Sequence, residues 1–275
     1  MLIWILKETE RGKMRKYGFK LFSSNLRTAP ELIGECAGYA ADRDDMFIEL
    51  MVVPDCTEDD LRVLKKQIGG VEVRIHAPHN DMGFDAGNAE LERQNKTVLS
   101  MSQKAADIFA AKTIVVHAGC GRGREYVEET ARQFKSFDDK RIVVENLPCA
   151  ASNGDILHGT TPDEIKYIMR ESGCGFCFDF SHAICAAVGL KLDVEDQLKG
   201  FYNLKPDVYH MCDGDFAGDI DSHMHFGDGN YPLKRFLETL TDENAYITME
   251  TGKGISQHND LWVKDYDYLK SLSVN

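Results

Sequence analysis

The sequence has no long apolar segment and few positive charges for its size. No apolar run approaches the roughly 18 residues that a helix needs to span a bilayer, so we expect no membrane-spanning segment. Lysine and arginine number 32 against 45 aspartate and glutamate residues, and the net charge at pH 7 is −13. A charge of this sign opposes indiscriminate binding to nucleic acids and membranes, although bound divalent cations can reverse the local field.

The chain also lacks the features of an exported or disulfide-stabilised protein. Residues 1–14 do not show the positive-then-apolar order of a secretory signal, so we expect a short extension there, a single domain over residues 15–275 and a cytoplasmic location. The eight cysteines fall in predicted strands and helices as often as in loops, which is not typical of a disulfide framework. The single C-x-x-C, Cys174 to Cys177, has no second pair to complete a zinc ribbon, so we expect both cysteines in the core.

What the sequence does contain is a regular alternation of short apolar runs and amphipathic segments. The apolar runs predict eight strands, at residues 17–23, 46–53, 71–77, 113–118, 141–147, 175–180, 207–212 and 245–251. Eight such units without a linker predict an α/β fold of the (β/α)8 type, a TIM barrel of about 250 residues in one domain. An open doubly wound sheet is the alternative, but the first turn lacks the G-x-G-x-x-G of dinucleotide-binding folds.

Histidine and acidic residues lie at the ends of six consecutive predicted strands, the third to the eighth. These residues are His76, His117, Glu145, Asp179 with His182 three residues later, His210 and Glu250. Because side chains alternate along a strand and barrel active sites lie at the carboxyl ends of the strands, all of them can point into the barrel mouth. Asp221 and His223, in the loop after the seventh strand, are spaced to bind one ion together, and His225 has the same parity.

The chemistry of these side chains predicts a metal centre. Imidazole and carboxylate without thiolate suit zinc, manganese or iron rather than calcium. Nine candidate ligands exceed the four positions around a tetrahedral zinc ion, so the sequence predicts two or three metal ions.

Seven motifs along the chain, in the order IHAPH, VVHAG, VVENLP, CFDFSHA, YHMCD, DSHMHFGDGN and ITMET, carry a family resemblance. From Tyr17 onward the sequence resembles the endonuclease IV family (AP endonuclease family 2) within the xylose isomerase-like TIM barrels. The most specific motif is D-x-H-x-x-x-G-[DE]-G-N, which matches Asp221 to Asn230 and favours His223 over His225 as a ligand.

The resemblance implies a zinc-dependent phosphodiester hydrolase whose family substrate is DNA with an abasic site. A hydroxide between two metals attacks phosphorus, and Glu145 and Glu250 are the expected catalytic carboxylates. The implied ligands are His76, His117 and Glu145 for the first metal, Glu145, Asp179, His210 and Glu250 for the second, and His182, Asp221 and His223 for the third.

Departures from the family pattern put the DNA substrate in doubt. The strand-five glutamate is followed by Asn146-Leu-Pro-Cys, and the first strand ends in FSSN without the family's histidine. The seventh loop carries Asp213, Asp215 and Asp219 where the family has basic residues. The alternative function is a sugar or sugar-phosphate isomerase or epimerase that uses one manganese or magnesium ion, with Glu145 and Glu250 as acid and base.

A few other residues complete the expectations from the sequence. His79, Arg122 and Lys253 are candidate substrate contacts beside the third, fourth and eighth strands. Glu49, inside the second strand, could face the barrel interior, and the sequence gives it no role. His158 and His258 are expected at the surface. No protein partner is expected; the predicted partners are a phosphodiester or, in the alternative, a small sugar.

Overall fold

The computed structural model describes residues 14–252 and 257–273, and eight strands of this part form one closed parallel barrel. In chain order the strands are β1 (Lys16–Phe22), β2 (Met46–Met51), β3 (Val73–His76), β4 (Ile114–His117), β5 (Gly119–Cys120), β6 (Ile142–Glu145), β7 (Leu157–His158), β8 (Gly175–Asp179), β9 (Val208–Met211) and β10 (Tyr246–Met249). All except β5 and β7 belong to the barrel, and β1 pairs with β10 to close it. The predicted (β/α)8 barrel is confirmed, and each predicted strand matches a barrel strand to within two residues at either end.

Helices connect the strands and cover the outside of the barrel. They are α1 (Asn25–Thr28), α2 (Pro30–Ala41), α3 (Glu58–Ile68), α4 (Glu92–Phe109), α5 (Arg124–Phe137), α6 (Pro162–Ser172), α7 (Phe180–Leu190), α8 (Val194–Tyr202), α9 (Leu233–Thr239) and α10 (Asp260–Leu272). A capping box begins α3, since the Thr57 side chain accepts from the Asp60 amide and the Asp60 carboxylate accepts from the Thr57 amide. Of the predicted N-terminal extension, residues 1–13 lie outside the described part of the chain.

The side chains of the barrel strands divide into two sets by their alternation. One set points outward and packs under the helices; Phe19, Ile48 and Val116 are fully buried there. The other set points into the barrel, where an apolar cluster fills the lower layer with Val115, Val143, Cys177 and Val208. Two residues further along these strands the inward positions are polar. The barrel therefore has an apolar floor and a polar layer at the carboxyl ends of its strands.

A small antiparallel sheet lies outside the barrel and was not predicted. In it β5 pairs with β7, with Gly119 opposite His158 and Cys120 opposite Leu157. His158 is 1% exposed, and its Nε2 lies 2.7 Å from the Thr130 hydroxyl, so its predicted surface position is wrong. Two-residue strands have no periodicity from which a sequence pattern could reveal them.

The helices of the described ranges, 14–252 and 257–273, include none with the length and apolar character that crossing a bilayer requires.

Candidate metal centre

Glu145, the last residue of β6, lies at the centre of the polar layer. Its Oε2 is 3.2 Å from His76 Nε2 and 3.2 Å from His117 Nε2. The two imidazoles come from β3 and β4 and meet edge to face, with ring centroids 5.3 Å apart. Strand alternation thus brings three of the predicted ligands around one position.

A second set of ligand atoms meets the other oxygen of Glu145. His210 Nδ1 is 3.0 Å from Glu145 Oε1 and 2.8 Å from Glu250 Oε1. Asp179 ends β8 and caps α7, where its Oδ1 accepts from the His182 amide at 2.7 Å. Ligand atoms of Glu145, Asp179 and His182 lie within 4.8 Å of one another. The Glu145 carboxylate therefore stands between two groups of candidate ligands.

The third set lies at the outer edge of the polar layer. Asp221 Oδ2 is 3.3 Å from His182 Nε2 and 2.6 Å from His223 Nε2. Ser181 donates to the other Asp221 oxygen at 2.7 Å and fixes the carboxylate. His182 lies in the first turn of α7, whereas Asp221 and His223 belong to the loop after β9. Two separate elements therefore build this set.

The loop separates the two histidines that spacing alone left equivalent. His223 has a φ of 49°, a left-handed conformation that costs a non-glycine residue about 1–3 kcal/mol. This breaks the extended alternation, so His225 points away from Asp221, and its Nδ1 lies 2.7 Å from Asp265 Oδ2. The strained backbone places His223, and not His225, beside Asp221.

Residues 46–272 match the family described as xylose isomerase-like TIM barrel, and this range is more than half of the chain. The chain belongs to this family.

Curated relatives and solved structures of the xylose isomerase-like barrels agree with the predicted resemblance. The "Probable endonuclease 4" of Mycobacterium leprae is 26% identical over an alignment of 204 residues, and the match covers 70% of this chain and 77% of that protein. Endonuclease IV from Thermus thermophilus superposes with a TM-score of 0.65 at 19% identity, covering 94% of this chain and 98% of the other. A D-tagatose 3-epimerase-like protein gives a TM-score of 0.65 at 18% identity, covering 93% and 96%. The two solved structures show a shared fold and bear names from two enzyme classes.

The polar layer includes two buried residues to which sequence reasoning gave no role. Lys20, on β1, contacts Glu250 Oε1 directly, and its Nζ lies 3.3 Å from Glu49 Oε1. Glu49, on β2, is 0% exposed and also reaches His210. Both residues interrupt apolar strands at inward positions, which is the only signal that the sequence offers for them.

Two cysteines also lie against the candidate ligands. Cys177 is grouped with Glu145 and His210, and Cys212 with Asp221 and His223. Burial raises the pKa of both thiols, so in the absence of metal they stay protonated.

Asp213, one of the acids that put DNA binding in doubt, has a structural role. Its carboxylate is 1% exposed and accepts from the backbone amides of Gly227, Gly229 and Tyr231 at 2.8, 3.2 and 3.0 Å. A Cβ at Gly229 would collide with this carboxylate and with the Gly214 backbone, which explains the glycine in the loop motif. Asp215 and Asp219 are exposed and leave the rim of the site acidic.

The three weaker substrate candidates have different positions. His79 is half-buried and stacks on His117, with ring centroids 5.1 Å apart, so it borders the site. Burial, together with the neighbouring His117, lowers the pKa of His79 to about 3, and its ring is neutral. Arg122 is exposed in the turn before α5. Lys253 lies outside the described residues.

The electrostatics show a cluster with excess negative charge. Burial raises the pKa of Asp179 to about 7, and the Glu250 and Asp221 carboxylates act in the same direction. Burial opposes the ionisation of Glu145, yet the neighbouring His210, whose own pKa is raised, holds the Glu145 pKa below the usual range. Because nearby carboxylates raise the pKa of His182, His210 and His223, these three rings serve as the counter-ions of the metal-free acids.

The donor set fits divalent cations. Among the described residues, the polar layer contains five buried or largely buried carboxylates and one ammonium, that of Lys20; the acids are Glu49, Glu145, Asp179, Asp221 and Glu250. Buried charges of one sign require cations or protons, and imidazole with carboxylate is the mixture that zinc and manganese accept. In addition, His117 Nδ1 is buried without a hydrogen-bond partner among the described residues.

Proposed function

We propose that this chain is a metal-dependent phosphodiester hydrolase with two or three divalent ions, zinc foremost. The supporting observation is the outer set of Asp221, His182 and His223 beside the two sets that share Glu145. A sugar isomerase of this barrel type needs only the central set, which consists of Glu145, Asp179, His210 and Glu250. A third group of ligands is useful when a leaving oxygen must be stabilised as well as an attacking one, as in phosphodiester hydrolysis.

The residues of each set would hold one ion. His76, His117 and Glu145 would bind the first, Glu145, Asp179, His210 and Glu250 the second, and His182, Asp221 and His223 the third. Bound ions would supply Lewis acidity toward the phosphoryl oxygens and lower the pKa of water. Glu145 would orient the nucleophilic water between its two neighbouring sets, and the neutral ring of His79 would offer a hydrogen bond to the substrate at the rim.

The rim favours a compact phosphodiester over a long polyanion. The Asp213 carboxylate is hydrogen-bonded to backbone amides of the loop, but Asp215 and Asp219 remain exposed beside the site. Together with the net charge of −13, they oppose the extended phosphate contacts on which DNA affinity depends. Of the two substrate classes, a compact phosphodiester is therefore favoured over abasic-site DNA, the substrate that the resemblance implies.

Metal content and hydrolysis measured on the same preparation test the proposal. We expect two or three zinc ions per chain by elemental analysis and turnover of bis(4-nitrophenyl) phosphate that a chelator abolishes. A duplex containing an abasic site would be nicked if DNA is the substrate. One manganese or magnesium ion per chain, no zinc and no hydrolysis of either phosphodiester would contradict the hydrolase.

The second candidate is an isomerase or epimerase that uses one divalent ion. It is supported by the acidic rim, which suits a neutral sugar, and by the central set of Glu145, Asp179, His210 and Glu250. In this reaction Glu145 and Glu250 would move a proton at the carbon next to a carbonyl group. Epimerisation of free ketoses, with one ion per chain, would support it.

Metal binding at the outer set should be coupled to proton release. Burial opposes a charged His223 ring, but the Asp221 carboxylate raises its pKa to about 9, so the ring is protonated in the metal-free protein at neutral pH. Because this pKa lies above the unfolded value of about 6.5, the proton stabilises the metal-free fold fully below pH 6.5, and the contribution is lost as the pH rises through about 9. A metal ion that binds this ring must displace the proton.

Calorimetric titration with zinc at pH 7.5 in two buffers of different ionisation enthalpy measures this release. We expect different heats in the two buffers, corresponding to at least one proton released per chain. His223→Gln should release about one proton fewer, whereas His225→Gln should behave like the wild type. Equal heats in both buffers would show that the outer set does not take up metal in exchange for protons.

A further inference from the structure

Glu49 lies in the barrel interior directly behind a candidate ligand. Its Oε2 is 2.9 Å from His210 Nε2 and accepts from the Thr248 hydroxyl at 2.8 Å. It is 0% exposed, as is His210. A carboxylate at this depth needs partners, because burying it bare would be very costly.

The two nitrogens of His210 face different groups. Nε2 points to Glu49, while Nδ1 points to Glu145 Oε1 at 3.0 Å and Glu250 Oε1 at 2.8 Å. A metal-bound imidazole keeps one N–H, and the group that accepts from this N–H decides which nitrogen binds the metal.

We propose that Glu49 is a positioning residue that holds the proton on His210 Nε2 and so fixes His210 as an Nδ1 ligand of the central metal ion. The inference rests on the proposed metal centre. It assigns Glu49 to the support of a ligand, through a carboxylate–histidine–metal arrangement, and not to the coordination sphere itself.

Lys20 explains why Glu49 does not bind metal. Ligand atoms of Glu49, His76, His210 and Glu250 lie close enough together to hold an ion. The Lys20 ammonium already contacts Glu250 Oε1 and lies 3.3 Å from Glu49 Oε1, so it supplies the positive charge between these two carboxylates. An ion there would have to displace a buried ammonium.

Strand register holds this arrangement together. Lys20 is the Cα partner of Glu49 across β1 and β2, and Thr248 is the partner of His210 across β9 and β10. The contacts of Glu49 therefore tie both sides of the β1–β10 closure of the barrel to one ligand. This rigid support is what a ligand needs to keep a single ring orientation.

Glu49→Gln tests the inference with Glu72→Gln as its matched control. Glu72 also contacts a lysine of β1, Lys16 at 2.6 Å, and the Tyr246 hydroxyl, but it precedes β3 and so lies at the opposite end of the barrel. In competition with a chelator, Glu49→Gln should weaken the binding of one zinc ion per chain by about 10–100-fold, with unchanged stoichiometry at saturation. Glu72→Gln should bind zinc like the wild type.

A spectroscopic readout separates ligand positioning from a general effect on the fold. In zinc-loaded protein labelled with 15N-histidine, the His210 ring, assigned with His210→Asn, should carry its proton on Nε2 and its metal on Nδ1. Thr248→Val removes a neutral hydrogen bond to Glu49 and should lower the zinc affinity less than Glu49→Gln does. It replaces Glu49→Gln as the test variant if that protein fails to fold.

The outcomes distinguish this inference from the proposed function. A wild-type protein that binds no divalent ion overturns both. A wild type that binds zinc through His210 Nε2, or a folded Glu49→Gln protein with wild-type zinc affinity, overturns the role of Glu49 and leaves the proposed metal centre standing. If Glu49→Gln does not fold, wild-type zinc affinity in Thr248→Val overturns it equally.

Discussion

Replacing Glu145 by glutamine should lower turnover at least about 10³-fold, which corresponds to about 4 kcal/mol in the activation barrier. Both carboxylate oxygens face candidate ligands: Oε2 faces His76 and His117, and Oε1 faces His210. Glutamine keeps the shape but loses the charge, and it turns an amide nitrogen toward one of the two sets. The effect is expected in hydrolysis, where Glu145 orients water, and equally in isomerisation, where it would move a proton.

The measurement pairs turnover with the number of metal ions bound per chain. We expect Glu145→Gln to lose at least one ion at metal concentrations that saturate the wild type. Glu72→Gln, at the opposite end of the barrel, serves as the control and should keep both properties. A Glu145→Gln protein with wild-type turnover and metal content would show that the carboxylate does not bridge two sets.

Much of the fold could be predicted because the sequence repeats one unit eight times. Apolar runs such as that of β6 alternate with capped amphipathic segments such as α3, so the number and order of strands are visible locally. The end-of-strand residues then follow from alternation, since His117 and Glu145 share a register position across β4 and β6. In a parallel barrel, strands that follow one another in the sequence lie side by side, so the residues at their ends are neighbours.

What alternation could not predict depends on loops and on long-range pairing. Alternation assumes an extended chain, and the left-handed backbone of His223 breaks it, so spacing alone could not separate His223 from His225. Lys20 and Glu49 lie within apolar strands, far in sequence from Glu250 and His210, and only barrel closure brings them together. The sequence predicts Asp213 as a charge on the rim, whereas its carboxylate is buried and hydrogen-bonded to loop amides that lie more than ten residues away in the chain.

The change that best separates the two proposed reactions is the double substitution His182→Ala and Asp221→Ala. It removes two of the three donors of the outer set, where Asp221 Oδ2 lies 3.3 Å from His182 Nε2 and 2.6 Å from His223 Nε2. If hydrolysis needs an ion there to stabilise the leaving oxygen, turnover of a phosphodiester should fall by about 10³-fold or more. An isomerase, which relies on the central set, should keep its activity.

His225→Gln is the matched control for this variant, because it changes an imidazole of the same loop that pairs with Asp265 outside the outer set. The control should retain full turnover and full metal content, while the double variant should bind one ion fewer and keep the ions that share Glu145. Full phosphodiester turnover in the double variant would show that the outer set is not catalytic. The hydrolase would then depend on the two sets around Glu145 alone, and the strained backbone at His223 would need another explanation.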